Sequence, residues 1–185
     1  MTSHFNFNFK ASLLMAALLG VSAAQAAVIS KQEYDSGKTR ASSDYKAAKA
    51  ACKSQAGNAR DICMEEAKGK EKVARAELQY AYTGKVGDLT KLEVTRAKAA
   101  YEVAKEKCDD LAGNDKSVCV KEAKAVEVKA LVNARMAKKI NETRKDGAQD
   151  KLDADYKVAT EKCDVLAGDA KASCMASAKS KFGKN

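Results

Sequence analysis

Six cysteines are the residues of this 185-residue sequence with the most evident chemical potential. Cysteine thiols can form disulfides, bind metal ions as thiolates or cycle between redox states. The cysteines fall into three pairs, and ten residues separate the two members of each pair. The first cysteines of successive pairs are 56 and 55 residues apart, which indicates an internal repeat. The pairs are Cys52/Cys63, Cys108/Cys119 and Cys163/Cys174.

The residues around the cysteines recur with the same spacing. In each copy a tyrosine lies seven residues before the first cysteine, and an Ala-Gly pair lies between the two cysteines. We therefore interpret the chain as three copies of one unit. We interpret the tyrosines as packing residues beside the cysteines, since a role in stacking on a ligand would rest on their repetition alone. The tyrosines are Tyr45, Tyr101 and Tyr156, and the glycines are Gly57, Gly113 and Gly168.

Each unit is predicted to be a pair of antiparallel helices joined at the glycine. The flanking segments are rich in Ala, Lys, Glu and Leu, which lose little side-chain freedom in a helix. The glycine can take the left-handed conformation that ends the first helix, and the polar residue after it can cap the second. The predicted caps are Asn58, Asn114 and Asp169, and capping boxes are predicted at Ser30 with Glu33 and at Thr90 with Glu93.

Residues 1–26 are typical of a secretory signal peptide. An apolar run from Ala11 to Val21 follows Lys10, and Ala24-Gln25-Ala26 forms a small-residue cleavage site. This run of eleven residues is too short to span a bilayer as a helix, so we expect a cleaved leader and no membrane span in the mature form. The expected mature protein is periplasmic, and its net charge falls from +9 to +8 because Lys10 is lost.

An oxidising compartment favours disulfides over the other roles of cysteine. Cysteines five residues before and six residues after the glycine come level across an antiparallel hairpin, which selects the pairs 52–63, 108–119 and 163–174. A zinc site needs four ligands at shorter spacings, and the only histidine, His4, lies in the expected leader. A redox-active dithiol would favour Cys-x-x-Cys. We therefore expect structural disulfides, with no metal and no other cofactor.

The predicted fold class is all-α, with three tandem disulfide-clasped αα-hairpins that form an elongated, partly coiled-coil molecule. Glycine-containing segments at 83–88 and at Lys145–Gly147 are predicted to separate the hairpins, whereas Gly37 and Gly69 need not be boundaries. The expected units are residues 1–26 for the signal peptide, then 27–84, 85–146 and 147–185 for the three hairpins.

A heptad-like apolar stripe follows the helix predicted from Asn114 to about Lys145. Its members alternate between spacings of four and three residues, as in a coiled coil. We expect the other apolar side chains of this helix to cover the partner helix of the same hairpin, and contact with another hairpin or another chain is the alternative. The stripe contains Cys119, Ala123, Val126, Ala130, Asn133, Ala137 and Ile140, and the other apolar residues are Val128, Leu131, Val132 and Met136.

The basic excess has two interpretations. Positive and negative residues are interleaved along the helices, which is typical of a solvated surface and is the interpretation we favour. Alternatively, local clusters near predicted helix C-termini bind an anionic polymer such as lipopolysaccharide, and we do not expect nucleic acid as the partner. The candidate polyanion contacts are Arg135, Lys138, Lys139, Arg144 and Lys145, and a second excess occurs at Lys179, Lys181 and Lys184.

The mature sequence lacks the signatures of catalysis. It contains no histidine, no Gly-rich phosphate loop, no nucleophile elbow and no metalloprotease motif. Hairpins with alanine faces do not readily form a pocket. We therefore expect no catalytic or cofactor-binding residues and a protein that is not an enzyme.

Asp-Tyr-Lys-x-Ala occurs at 44–48 and 155–159, beside Cys-x10-Cys hairpins that carry Ala-Gly. With these features the chain resembles small exported proteobacterial proteins, Ala/Lys-rich and helical, that are often labelled TolA-like. The resemblance implies a function in bridging the cell envelope. We expect a non-enzymatic structural or interaction protein whose partner is another envelope protein or an anionic polymer. The alternative is a basic polyanion-binding or stress-protective periplasmic protein.

Overall fold

The computed structural model describes residues 28–184, so the predicted signal peptide lies outside the described residues. Within this range the chain forms five α-helices and one 3₁₀ turn, without a β-strand. The predicted all-α class is therefore confirmed. The helices are α1 (Lys31–Ala51), α2 (Gly57–Thr83), α3 (Val86–Cys108), α4 (Gly113–Cys163) and α5 (Gly168–Phe182), and the 3₁₀ turn is Cys52–Ser54.

Each helix in the described part of the chain packs only against its neighbours in sequence. α2 lies between α1 and α3, and α3 lies between α2 and α4, so these four helices form one antiparallel layer. α5 folds back on the C-terminal part of α4. Apart from Leu92, the buried apolar residues between 28 and 184 are alanines and cysteines. Such a thin core supplies little hydrophobic stabilisation, so covalent links carry more of the stability.

The hairpin turns differ from the predicted ones. The three glycines do have positive φ, between 55° and 57°, but each one begins the second helix instead of ending the first. The first helix of each hairpin has already ended near the first cysteine, and an extended alanine precedes each glycine at the N-cap without a side-chain hydrogen bond. The predicted caps at Asn58, Asn114 and Asp169 are therefore wrong, because alanine occupies the cap position.

Of the two predicted capping boxes, one is confirmed. The Glu33 amide donates to Ser30 Oγ at 3.2 Å and the Ser30 amide donates to Glu33 Oε2 at 2.7 Å, which lowers the pKa of Glu33. The box at Thr90 is wrong, because α3 begins four residues earlier, at Val86, and the Thr90 hydroxyl donates to the Val86 carbonyl at 2.9 Å.

Helix α4 is the largest departure from the prediction. It has 51 residues and would extend about 76 Å at about 1.5 Å per residue. The predicted interruption at Lys145–Gly147 is wrong, and the expected boundary between residues 146 and 147 falls inside this helix. A single glycine costs a helix only about 1 kcal/mol, and the good helix formers on both sides outweigh that cost. As expected, Gly37 and Gly69 also lie inside helices.

Substitutions at Gly147 test the continuity of α4. A β-carbon there would meet nothing within 4 Å, so Gly147→Ala is expected to stabilise the helix by about 1 kcal/mol. Gly147→Pro should cost about 3 kcal/mol through the lost hydrogen bond and the steric clash. Amide hydrogen exchange of residues 139–155 reports both effects. A turn at residues 145–147 would instead tolerate proline and gain nothing from alanine.

The junction between α2 and α3 lies where the first unit boundary is expected. Gly84 ends α2 in the left-handed conformation at φ 62°, and α3 begins two residues later. Asp88 is buried beneath this turn, where the Thr83 hydroxyl donates to its Oδ2 at 2.7 Å and Lys91 Nζ lies 3.0 Å from its Oδ1. These two hydrogen bonds, that of Thr83 first, lower the pKa of Asp88.

Asp88 should therefore make the stability of the junction pH-dependent. Because its pKa is lower in the folded chain, its stabilisation is complete above the unfolded value of 3.8 and is lost as the pH falls through the folded value. Asp88→Asn is expected to reduce stability at pH 7 and to flatten the decline on acidification. Urea unfolding at pH 7, 5 and 3 tests this, with the exposed Asp110→Asn as the control. An unchanged pH profile would contradict it.

Candidate functional site

The six cysteines form three disulfides, one at the end of each hairpin. The bonded pairs are the predicted ones, Cys52–Cys63, Cys108–Cys119 and Cys163–Cys174, and their Cα atoms are 5.6–5.7 Å apart. The first cysteine of each pair is at most 1% exposed. These disulfides are compatible with an oxidising, exported location.

The second and third hairpin tips are also held by equivalent ion pairs. Lys116 contacts Asp109 and Lys171 contacts Asp164, each at 3.0 Å. The first hairpin has Lys53 and Arg60 at the corresponding positions, which are both basic. Exposed pairs of this kind contribute at most about 1 kcal/mol each. The disulfides therefore stabilise the tips more than the ion pairs do.

Two of the three repeated tyrosines, Tyr101 and Tyr156, contact the second helix of their own hairpin, and the packing of all three beside the disulfides stays a prediction. Lys124 lies 4.8 Å above the centre of the Tyr101 ring, and the Tyr156 ring meets Phe182 edge-on with 6.1 Å between ring centroids. Lys184 also lies 6.0 Å from the centre of the Tyr156 ring. These contacts join the two helices of the second and third hairpins.

The heptad stripe predicted on α4 is rotated relative to the buried face. Glu127 and Ala134 are buried against α3, whereas Val126 is 64% and Ile140 50% exposed. Asn133 and Ala137 are also exposed. The buried face nevertheless keeps the heptad spacing in a shifted register, since its buried and half-buried positions alternate between spacings of three and four residues, at 120, 123, 127, 130 and 134. The buried Glu127 carboxylate accepts a hydrogen bond from Lys124 Nζ at 2.6 Å, which satisfies its charge.

The other apolar residues of α4 do not cover its partner helix. Val128, Val132 and Met136 are 45–56% exposed, and only Leu131 is half-buried. The prediction for these residues is therefore wrong for three of the four. The reason is geometric, because α3 packs on one side of α4 and these three side chains lie away from it.

The five candidate polyanion contacts all lie on a part of α4 where every residue from 135 to 146 is exposed. Lys138 pairs with Glu142 at 3.6 Å. At about 100° per residue, Arg144 lies on the opposite side of the helix from Arg135. The structure therefore brings Arg135, Lys138, Lys139, Arg144 and Lys145 to one segment without gathering them on one face. Of the second cluster, Lys184 is paired with Asp153 at 2.6 Å.

An apolar groove of about 750 Å³ runs between α2 and α3. At its centre the helices approach closely, since a β-carbon on Gly69 would lie 3.1 Å from that of Ala99. Lys107 and Glu66 are 3.8 Å apart beside the groove, and Arg96 and Glu77 are 2.7 Å apart at α2 and α3. The lining comprises Glu66, Gly69, Lys70, Val73, Ala74, Glu77, Ala99, Ala100, Val103, Ala104 and Lys107.

Sequence reasoning did not find this contact between the first two hairpins. The signal was present, because Gly69 and Ala99 are small residues that lie 15 positions before and after the turn at Gly84. A second missed contact lies nearer the tips, where Asn58 Nδ2 donates to the Glu106 carbonyl at 2.8 Å. The predicted helix cap therefore links two hairpins instead.

Metal-binding and membrane-spanning features are absent between residues 28 and 184. In that range no cluster of three or more His, Cys, Asp or Glu side chains could hold a metal ion. No helix in it combines the length and apolarity that crossing a bilayer requires. The chain matches no family model, no curated protein and no solved structure.

Proposed function

We propose that this chain is a non-enzymatic periplasmic protein that acts as a structural or interaction element of the cell envelope. Helix α4 is the observation that carries this proposal. It continues from the second hairpin into the third and holds their disulfides, at Cys119 and Cys163, about 66 Å apart along one rod. A rod with clasped ends and open helix faces suits a spacer that presents surfaces to an envelope partner.

Three features support the location and the role together. The disulfides require an oxidising environment, the leader-like residues 1–26 offer a route to it, and the surface is highly charged, as in small exported proteins of the TolA-like kind. The groove between α2 and α3 is lined mainly by alanine and valine, with a Glu–Lys and a Glu–Arg pair beside it. Such surfaces suit packing against a helix more than binding a small substrate.

Fractionation of bacteria that express the full chain tests the proposal. The expected result is release by osmotic shock, an N-terminus at Ala27 and thiols that do not react with maleimide until a reductant is added. Cys52→Ser is the matched control, because it leaves the half-buried Cys63 free and should give one reactive thiol. A cytoplasmic protein with an intact leader and six reactive thiols would contradict the proposal.

Binding of an anionic polymer is the second candidate function. It is favoured by the segment of α4 in which Arg135, Lys138, Lys139, Arg144 and Lys145 are all exposed. A cationic rod can attract a flexible polyanion from any side, so a single basic face is not required.

Titration with lipopolysaccharide at several salt concentrations tests this candidate. Lys138→Glu with Lys139→Glu and Lys145→Glu should abolish binding that weakens steeply with salt. The control changes the exposed Lys46, Lys49 and Lys53 of the first hairpin to Glu, which gives the same net charge. Equal loss in both variants would show attraction by net charge alone and would contradict a site on α4.

A further inference from the structure

Helix α4 has an exposed apolar face opposite the helices that pack on it. α3 and α5 lie on one side, where Glu127, Ala134 and Cys163 are buried. At about 100° per residue, the apolar residues on the other side align along the whole helix. They are Val118, Val132, Met136, Ile140 and Val158, with exposed fractions of 44%, 45%, 56%, 50% and 55%, and the small Ala125, Gly147 and Ala154 lie among them.

The N-terminal half of this face corresponds to a surface that α2 already uses. Counting back 56 residues, the distance between the first two cysteine pairs, Ala125 corresponds to Gly69 and Glu122 to Glu66. On α2 these positions pack against α3, with Gly69 at the closest approach. In the same way Val118, Val132 and Met136 correspond to Ile62, Ala76 and Tyr80. The helix face that packs against α3 on α2, in the first hairpin, is therefore exposed on α4, in the second.

The C-terminal half of the same face corresponds to the surface of α3 that receives α2. Counting back 55 residues, Ala154 corresponds to Ala99 and Lys162 to Lys107. Glu161 corresponds to Glu106, whose carbonyl accepts the Asn58 hydrogen bond, and Val158 corresponds to Val103 of the groove. Helix α4 thus carries both halves of the α2–α3 interface in one rod, and a helix cannot bring its own two halves together.

We propose that two copies of this chain pair through this face, with their α4 helices antiparallel and in the register of the α2–α3 contact. Ala125 then lies against Ala154 of the second copy, as Gly69 lies against Ala99. Glu122 faces Lys162 of the second copy, as Glu66 faces Lys107. The register also sets Lys129 opposite Asp150 of the second copy, so a central basic residue meets an acidic one.

In this register a two-fold axis near residues 139–140 relates the two copies, so each contact occurs twice, as in an isologous dimer. The residues of α4 that are buried under its neighbours, Glu127, Ala134 and Cys163, lie on the opposite side of the helix. At the C-terminal end of the face Val158 and Lys162 also border the groove between α4 and α5, so the second copy lies beside α5 there. The other free edge of the layer, on α1, is less suited to a second copy. There the positions equivalent to Ala99 and Leu92 are Ser43 and Ser36, which are polar and at least partly exposed.

Light scattering of the oxidised protein gives the first test. The expected molar mass is twice that of one chain, and Val132→Glu with Met136→Glu should weaken the dimer by about a hundredfold or more, because four charges enter an apolar contact. Val165→Glu is the control, since Val165 is 86% exposed at the third hairpin tip. Unchanged circular dichroism would show that each variant is folded. A monomeric parent protein, or a dimer that resists the double substitution, would overturn the proposal.

Covalent trapping tests the register. In Ala125→Cys/Ala154→Cys the new thiols of one chain lie about 43 Å apart along α4, so they can bond only between copies. Peptide mapping should find residue 125 linked to residue 154, whereas Val165→Cys alone should give no defined dimer. A link of 125 to 125 would overturn this register. The proposal does not rest on the cellular location, so its failure would leave the envelope function standing.

Discussion

Removing the disulfide of the third hairpin is expected to release α5. This helix has 15 residues, near the lower limit for a stable helix in water, and in the described part of the chain it packs only on α4. Closing a loop of about 12 residues stabilises a fold by about 3 kcal/mol, which corresponds to about a hundredfold in the opening equilibrium. Cys163→Ser/Cys174→Ser should therefore reduce amide protection of residues 168–182 by about that factor.

The first hairpin supplies a matched control. Cys52→Ser/Cys63→Ser should leave the protection of α5 unchanged and should affect α1 less, because α1 is anchored at its other end. There the Tyr34 hydroxyl donates to Gln79 Oε1 at 2.8 Å and the Tyr34 ring stacks on Tyr82 with 4.8 Å between centroids. If α5 kept full protection without its disulfide, noncovalent packing would be sufficient to hold the hairpin, and the disulfide would not be its main source of stability.

Enlarging Gly69 is expected to separate the first two hairpins. Even a β-carbon at this position would lie 3.1 Å from that of Ala99, so the longer side chain of Gly69→Leu must push α2 away from α3. Overpacking of this kind costs about 1–3 kcal/mol of stability. The higher helix propensity of leucine relative to glycine offsets part of that cost. Urea unfolding followed by circular dichroism should show a net loss of about 1 kcal/mol.

The same substitution at Gly87 provides the control. A β-carbon there would meet nothing within 4 Å, so Gly87→Leu is expected to be close to neutral. A second readout is the Asn58 side-chain amide, whose hydrogen bond to Glu106 should be lost in Gly69→Leu only. Equal stability of the two variants would show that the α2–α3 approach is not tightly packed.

The disulfide-bonded hairpins could be predicted because the constraint is local. Two cysteines on either side of a turn come level at a distance set by the helical rise, and three copies of that spacing leave one consistent pairing. The Ser30 capping box was predictable for the same reason, since it involves residues only three positions apart. Local geometry of this kind follows directly from the types and spacing of residues that are close in sequence.

The features that the sequence did not predict depend on small differences in free energy between alternative conformations or packing arrangements. At Gly147 the glycine cost is outweighed by its neighbours, whereas the left-handed Gly84 ends α2. The rotation of the buried face of α4 depends on where α3 packs, and a stripe of alanine and valine does not favour one face strongly. The contact of Gly69 with Ala99 joins two units, so the sequence of each repeat by itself could not reveal it.

Peptide mapping of the unreduced protein tests the architecture most directly. Trypsin cuts between the two cysteines of every pair, after Lys53, Lys116 and Lys171 among other sites, so a disulfide appears as two linked peptides. The expected links are 52–63, 108–119 and 163–174, with no others in significant amount. Links between different hairpins, or unlinked cysteines in protein purified without reductant, would contradict three independently clasped hairpins and everything built on them.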